Sequence, residues 1–237
     1  MKQRIRHIAV LVPARDEEQL LPRCIASVVR ASHALPHEIT CDVIVTVDSS
    51  TDRTLELAQS MLGHYGAVLA TDAGSVGVAR ALAAQTALSR YAGAPRTCWL
   101  ANTDADCEVP VNWLLDQLQL AESGAQAIAG VIDVEDFSDH HHTVAQRFRE
   151  TYLIHPNGTH PHVHGANIGM RADVYLRAGG WSPLETAEDH DLWNRLSLFA
   201  CQRHSVARLR VLTSGRRLGR APQGFAAALA AHNEAVA

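Results

Sequence analysis

Four times in its first 123 residues the chain repeats one order: a short apolar run, a polar or glycine-bearing loop, then a stretch with helical spacing. The first run, Ile8 to Val12, is continuous and closes at Pro13, as expected of a strand covered on both faces in a parallel sheet. Leu20, Leu21, Cys24, Ile25, Val28 and Val29 follow at three- and four-residue spacing. Asp16, Glu17 and Glu18 suit the positive end of that helix, and Pro22 is near enough to its start to be tolerated. The second round is Asp42 to Val47, the loop Asp48 to Thr51 and an amphipathic stretch from Asp52 to Leu62. The third runs from Ala67 to Ala70, through Gly74 and Gly77, into the alanine-rich helix Val78 to Arg90. The fourth has Cys98 to Leu100 as strand, Asn102 to Glu108 as loop and Val111 to Glu122 as helix, with Pro110 in its first turn. Parallel strands need crossover helices, so the alternation predicts an α/β fold: an open, doubly wound, mostly parallel sheet of Rossmann type, with helices on both faces and right-handed crossovers.

The rest is less regular. Strands are expected at Gln126 to Asp133, Ala166 to Met170 and Val206 to Leu212, and helices near Thr143 to Leu153, Ala172 to Ala178, Glu188 to Ala200 and Gln223 to Ala235. A loop rich in His, Pro, Asn and Gly spans His155 to His164. No repeat or linker interrupts the 237 residues, so the second half is expected to pack on the same sheet in a single domain, 1–237. With Lys plus Arg at 21, Asp plus Glu at 25 and a net charge of −4, no basic block offers a phosphate-backbone footprint, which argues against a nucleic-acid partner. The longest apolar stretches, such as Ile8 to Val12 and Phe225 to Ala231, fall far short of the roughly 20 residues that span a bilayer. Met1 to His7 runs straight into a strand without the apolar core of a signal peptide, so a cytoplasmic protein with no membrane span is expected. The five cysteines are odd in number and never form C-x-x-C, which favours reduced thiols.

In an open parallel sheet, ligands bind beyond the carboxyl ends of the strands. The acids of this chain fall there: Asp16 and Glu17 after the first strand, Asp48 after the second, Asp104 and Asp106 after the fourth. Asp104-Ala105-Asp106 suits a hard divalent ion, Mg²⁺ or Mn²⁺, that also binds phosphate oxygens; a solvated acidic loop or Asx-turn is the plainer alternative. Neither G-x-G-x-x-G after the first strand nor G-x-x-x-x-G-K-[ST] occurs, so a dinucleotide-dependent Rossmann enzyme and a P-loop enzyme are unsupported. Acidic strand ends without a glycine cradle point to a nucleotide whose diphosphate is neutralised by the ion. Glu188-Asp189-His190-Asp191 opens a helical register through Leu192, Trp193 and Leu196, where carboxylates serve either as caps or as a general base on a rigid element.

With these residues in hand, the chain resembles a family-2 glycosyltransferase of the GT-A fold, the nucleotide-diphospho-sugar transferases, over nearly its whole length. The resemblance rests on Val12-Pro13-Ala14-Arg15-Asp16-Glu17-Glu18, Val47-Asp48-Ser49-Ser50-Thr51-Asp52-Arg53-Thr54, Gly77 with Ala79-Arg80, Thr103-Asp104-Ala105-Asp106, His164 to Arg171, and Glu188-Asp189. It implies a nucleotide-binding half at 1–123 and an acceptor-binding, catalytic-base half at 124–237. Pro13, Ala14, Arg15 and Glu17 would line the nucleoside pocket, Asp48 would contact base or ribose, and Arg80 would sit near base or diphosphate. Asp104 and Asp106 would hold the metal, with Asp106 the direct ligand, and Asp189 would be the base with Glu188 beside it. The implied activity is metal-dependent, inverting transfer of a sugar from a UDP- or GDP-sugar to a hydroxyl of a small or soluble acceptor. A homodimer is left open.

The pattern departs from the family's at Asp16, where many relatives carry Asn, and at Ser49, where a second acid is usual. No Q-x-x-R-W pattern follows Glu188-Asp189, which disfavours a processive polymer synthase. His204 is set outside the site because it precedes a strand; Arg216 or Arg217 would face either the diphosphate or solvent, and Trp181 either a sugar face or the core. His140 to His142, His155, His160, His162 and His164 are read as hydrogen-bonding or acceptor residues in preference to a zinc site. Two rival readings remain: a non-catalytic nucleotide- or carbohydrate-binding protein on the same fold, and a nucleotidyltransferase.

Overall fold

The computed structural model describes residues 4–221 and 224–234. Its central strand β1 (His7–Ala14) has all eight residues buried and lies between β2 (Thr40–Asp48) and β4 (Cys98–Asn102), parallel to both. β3 (Gly66–Thr71) adds to the outer side of β2. Side chains alternate across the pleat, as strand geometry requires. Ile8, Val10 and Val12 face one apolar cluster with Leu21, Ile25 and Val28 of α1 (Leu21–His33) and Ala58 and Leu62 of α2 (Thr54–Leu62). Ala9 and Leu11 face a second cluster with Ala83, Ala84 and Ala87 of α3 (Val76–Arg90). The chain therefore winds outward from β1 to β3 on one face and returns past β1 to β4 on the other.

This reversal opens a crevice between β1 and β4. β4 stops pairing at Asn102 opposite Leu11, while β1 continues beside β2 through Pro13 and Ala14. Pro13 thus extends the expected strand instead of closing it, and its missing N–H falls where β4 has already ended.

Beyond β4 the sheet becomes mixed. Its order is β3-β2-β1-β4-β7-β6-β8-β5, with β5 (Cys107–Glu108), β6 (Ala127–Val134), β7 (Ile168–Arg171) and β8 (Arg203–Thr213). β7 runs antiparallel to both β4 and β6, and β8 runs parallel to β6. The second half does complete the same eight-stranded sheet. β5 was hidden in the expected loop Asn102 to Glu108, because two residues carry no period. α4 (Trp113–Glu122) packs on the first cluster, and α6 (Ala172–Arg177) and α7 (Glu188–Leu196) pack on the second. α5 (Val144–Thr151) and α8 (Phe225–Glu234) complete the set; Gln223 and Ala235 of the expected terminal helix lie outside the described residues, as do Met1 to Gln3. Helices therefore cover both faces of an open α/β sheet, and among the described residues none is long and apolar enough to cross a membrane.

The β6–β8 ladder slips between Gly130, paired with Val206, and Val131, paired with Arg210. Asn167, fully buried before β7, repairs the break: Nδ2 donates to Val131 O at 2.8 Å and Leu209 O at 2.9 Å, and Oδ1 accepts from Trp113 Nε1 at 3.0 Å. Buried carbonyls without donors are costly. Asn167→Ala should lower the unfolding free energy by about 3 kcal/mol in a urea titration, and an unchanged midpoint would show that the bulge needs no side-chain donor.

Candidate functional site

A cleft of about 380 Å³ opens over the β1–β4 crevice. Pro13, Ala14, Arg15, Glu17, Asp48, Arg80, Asp104, Asp106, Glu188 and Asp189 all line it, so the structure brings every residue expected of the site to one place. Three local features aim them. Asp16, Ser49 and Ala187 hold the left-handed conformation at φ 49°, 52° and 60°, turning the chain sharply after β1, after β2 and before α7. Such backbone is uncommon for non-glycine residues and is retained where surrounding contacts enforce it.

The acids after β1 do not serve α1, whose first turn contains none. Asp16 Oδ1 instead accepts from Thr51 N at 2.8 Å, Glu18 Oε2 accepts from Arg53 N at 3.2 Å, and Asp52 Oδ2 accepts from Glu18 N at 3.0 Å, stitching the β1 and β2 loops together. The short loop after β1 has left α1 to start late, at Leu21. Asp48 is similarly occupied: Oδ1 accepts from Gly74 N at 3.0 Å and Oδ2 from Ser75 N at 2.8 Å, joining the end of β2 to the start of α3.

Two arginines, Arg80 fully buried and Arg216 half-buried, divide the remaining carboxylates. Arg80, on α3 and 1% exposed, donates from Nε to Glu188 Oε1 at 3.0 Å and from Nη2 to Asp104 Oδ1 at 2.5 Å. Burial works against its charge, but Asp104, Glu188 and Asp189 more than compensate and stabilise it as a cation. Gly165 lies so close to this guanidinium that a Cβ there would stand 2.4 Å from Nη2, so a larger residue would have to push the guanidinium off its partners. Trp181 packs under Arg80, its ring centroid 5.3 Å from Cζ, and is only 5% exposed; it belongs to the core side of the alternatives open for it.

Arg216, just past β8, donates to Glu17 from Nη1 at 2.9 Å and Nη2 at 2.6 Å, and its Nη2 stands 3.0 Å from Asp106 Oδ2. Burial pushes the Asp106 carboxyl up to about 6, against the pull of Arg216 and with help from Asp104 and Glu17. Arg217 is exposed. Sequence reasoning left Arg216 undecided between diphosphate and solvent; it joins neither alternative alone, because its partners are the two acids that follow β1 and β4. A basic turn after a strand carries no signal for such a long-range pair.

Asp189 stands at the first turn of α7, where the helix dipole favours a carboxylate. Its Oδ2 accepts from Gly165 N and its Oδ1 from His190 N, each at 2.7 Å, which orients the group while leaving each oxygen a second lone pair. Burial raises the Glu188 carboxyl above its ordinary range, and Arg80 draws it back.

Among the described residues, Asp104, Asp106 and Cys107 are the one group of three whose ligand atoms converge to metal-binding distance, within 4.8 Å. Burial pushes the Cys107 thiol far above its ordinary value, so it keeps its proton and offers little to a hard cation. Among the described residues, Asp104 Oδ2 accepts no hydrogen bond and Asp106 Oδ1 accepts only from the weak Cys107 S–H donor at 3.5 Å. Two carboxylate oxygens lining the cleft fit Mg²⁺ or Mn²⁺, hard cations that take oxygen ligands and leave positions for substrate oxygens. His204 is exposed at the opposite end of β8. In the histidine-rich segment, His160 bonds Ala129 O and His164 bonds the Tyr152 hydroxyl.

The sequence profile described as "Glycosyl transferase family 2" matches residues 9–177, well over half the chain. The chain belongs to glycosyl transferase family 2. This family-2 chain matches no curated protein sequence. Among solved structures it is similar to TarS from S. aureus in complex with UDP-GlcNAc, with a TM-score of 0.65 at 16% identity, over 90% of this chain and 60% of the TarS segment 1–349. It is also similar to the mannosyltransferase PcManGT from Pyrobaculum calidifontis in complex with GDP-Man and Mn²⁺, with a TM-score of 0.65 at 17% identity, over 97% of this chain and 69% of that one. Identities this low establish the shared fold, and the family-2 chain spans only about three-fifths of the TarS segment. The nucleotidyltransferase alternative gains nothing from these matches.

Removing Arg80 would strand Glu188 in a buried position, so Arg80→Met should destabilise the protein by about 3–5 kcal/mol at neutral pH. It should also raise the Glu188 carboxyl further. A carboxyl whose folded pKa exceeds its unfolded one stabilises the fold below the unfolded value, about 4.3, and loses that contribution as pH rises through the folded value. The deficit of Arg80→Met relative to wild type should therefore shrink as pH falls from neutral toward the unfolded value in urea titrations; a constant deficit would remove charge from the explanation.

Proposed function

We propose that this family-2 chain is a metal-dependent, inverting glycosyltransferase whose donor is a nucleoside-diphosphate sugar and whose acceptor is a hydroxyl of a small molecule. The observation that carries this reading is the meeting, in one cleft, of the Asp104/Asp106 pair from the end of β4 with Asp189 from the start of α7. Residues 1–123 would hold the nucleotide, against Pro13, Ala14, Arg15 and the Asp48-fastened start of α3, and residues 124–237 would supply acceptor contacts and the base.

Asp104 and Asp106 would hold the divalent ion, which supplies charge neutralisation for the leaving diphosphate. Arg216 is placed to exchange one carboxylate partner for a phosphate oxygen, since a guanidinium binds either bidentately. Asp189 takes the proton of the acceptor hydroxyl as that oxygen bonds to the anomeric carbon, and the bond from that carbon to the diphosphate breaks with its electron pair leaving on the diphosphate. Glu188 does not share this role: with Oε1 on Arg80 and the residue buried, it positions α7.

One observation favours the binding-only alternative, namely that both carboxylates of the Asp104/Asp106 pair already have an arginine partner. Substitution separates the two. Asp189→Asn should lower transfer by about 10²–10⁴-fold and leave nucleotide affinity within about twofold; undiminished turnover would dismiss Asp189 as the base.

A panel of nucleoside diphosphates with and without Mn²⁺ should raise the thermal midpoint of the wild type for one base, equivalent to about 2.7 kcal/mol at a hundredfold excess over Kd. Asp106→Ala should erase the metal-dependent part of that shift. No shift with any nucleotide in the wild type would defeat the transferase reading.

A further inference from the structure

Beside the proposed nucleotide, metal and base residues, the lining of the cleft includes an apolar stretch grouped around His164 and Phe225. Ile132 at the end of β6, Val163 and Ala166 before β7, and Phe225 and Ala228 on α8 form it. No charged side chain is among them. The ring of His164 completes the wall, with Nε2 engaged to the Tyr152 hydroxyl at 2.9 Å. Burial and the neighbouring His162, His190 and His160 rings push its pKa down to about 3, so at neutral pH it presents an uncharged aromatic face.

The wall is rigidly backed. Phe225 meets His164 edge to face at 6.0 Å and Phe148 of α5 edge to face at 6.0 Å; Phe148 in turn packs 4.9 Å from Tyr152, which stacks on His162 at 3.9 Å. Such pairs hold ring orientation as well as burying area. This stretch is continuous with the base: Gly165, between His164 and Ala166, donates its N–H to Asp189. A polyol pressed against the wall would lose water from hydroxyls that find no partner there, whereas an apolar group would gain by leaving water.

We infer that this part of the cleft is the acceptor subsite and that it takes a neutral acceptor in which an aryl or alkyl group is attached to the hydroxyl-bearing part, the hydroxyl toward Asp189 and the apolar group against Val163, Ala166 and Phe225. The inference rests on the transferase reading for the word acceptor, but the subsite is tested by binding alone.

Phenyl β-D-glucoside and methyl β-D-glucoside share every hydroxyl and differ only in the apolar group. Titrated into the full chain, followed calorimetrically with and without Mn²⁺ and a nucleoside diphosphate, the phenyl compound should bind at least about tenfold more tightly. Phe225→Ala should remove most of that advantage, and Val163→Thr, which keeps the side-chain shape and adds a hydroxyl, should reduce it, with unchanged circular dichroism in both. Equal affinities for the two glucosides, no binding of the phenyl compound, or a preference untouched by both substitutions would overturn the proposal. If nucleotides fail to bind while the phenyl preference and its loss in Phe225→Ala persist, the apolar subsite stands and the transferase reading falls; if nucleotides bind with metal and the glucosides bind alike, the subsite falls alone.

Discussion

Arg80 leaves α3 into the interior and pairs there with one carboxylate from the loop after β4 and one from the first turn of α7. Taking a guanidinium out of water is costly, and only the two carboxylates with their hydrogen bonds offset it. The three elements are consequently interdependent: shift α7 and a buried cation is left short of a partner. Gly165 gives the guanidinium room, Trp181 floors it, and Gly77, where a Cβ would approach Ser182 O to 2.0 Å, lets the start of α3 press against the segment leading into α7. The placement of Asp189 in the same cleft as Asp104 and Asp106 follows from this packing.

Arg216 repeats the arrangement across the crevice, between Glu17 after β1 and Asp106 after β4. The cleft thus has two cation bridges, each tying a D-x-D carboxylate to a different part of the fold. Both bridges cross the boundary between the halves at residue 123: Arg80 of the first half pairs with Glu188 of the second, and Arg216 of the second neutralises Glu17 and Asp106 of the first. An arginine that pairs with carboxylates in this way is suited to a phosphate when one arrives, because the same planar fork serves both anions.

Much of the fold and site was legible early, for identifiable reasons. The runs Ile8–Val12, Asp42–Val47 and Cys98–Leu100 are buried on both faces, and such strands advertise themselves as unbroken apolar stretches. Their acids fell at the carboxyl ends, so the convergence of Asp48, Asp104 and Asp106 could be inferred from connectivity alone. What escaped was set by partners far away in sequence. Glu17 reads as a pocket or dipole residue until Arg216, 199 positions on, takes both its oxygens. Asn167 reads as one letter in a motif until a slipped ladder between β6 and β8 supplies carbonyls for it to satisfy.

The sequence by itself determined the alternation of strands and helices, the apolar spacing of the helices, and which strand ends would carry carboxylates, because those properties depend on neighbours within about one helical turn or one strand. Tertiary structure alone decided that β7 would run antiparallel between β4 and β6, that Arg80 and Arg216 would divide the carboxylates, and that an uncharged aromatic wall would stand beside Asp189. Those outcomes depend on pairing and desolvation between segments distant along the chain, where the free energy of a contact is defined only once both partners are in place.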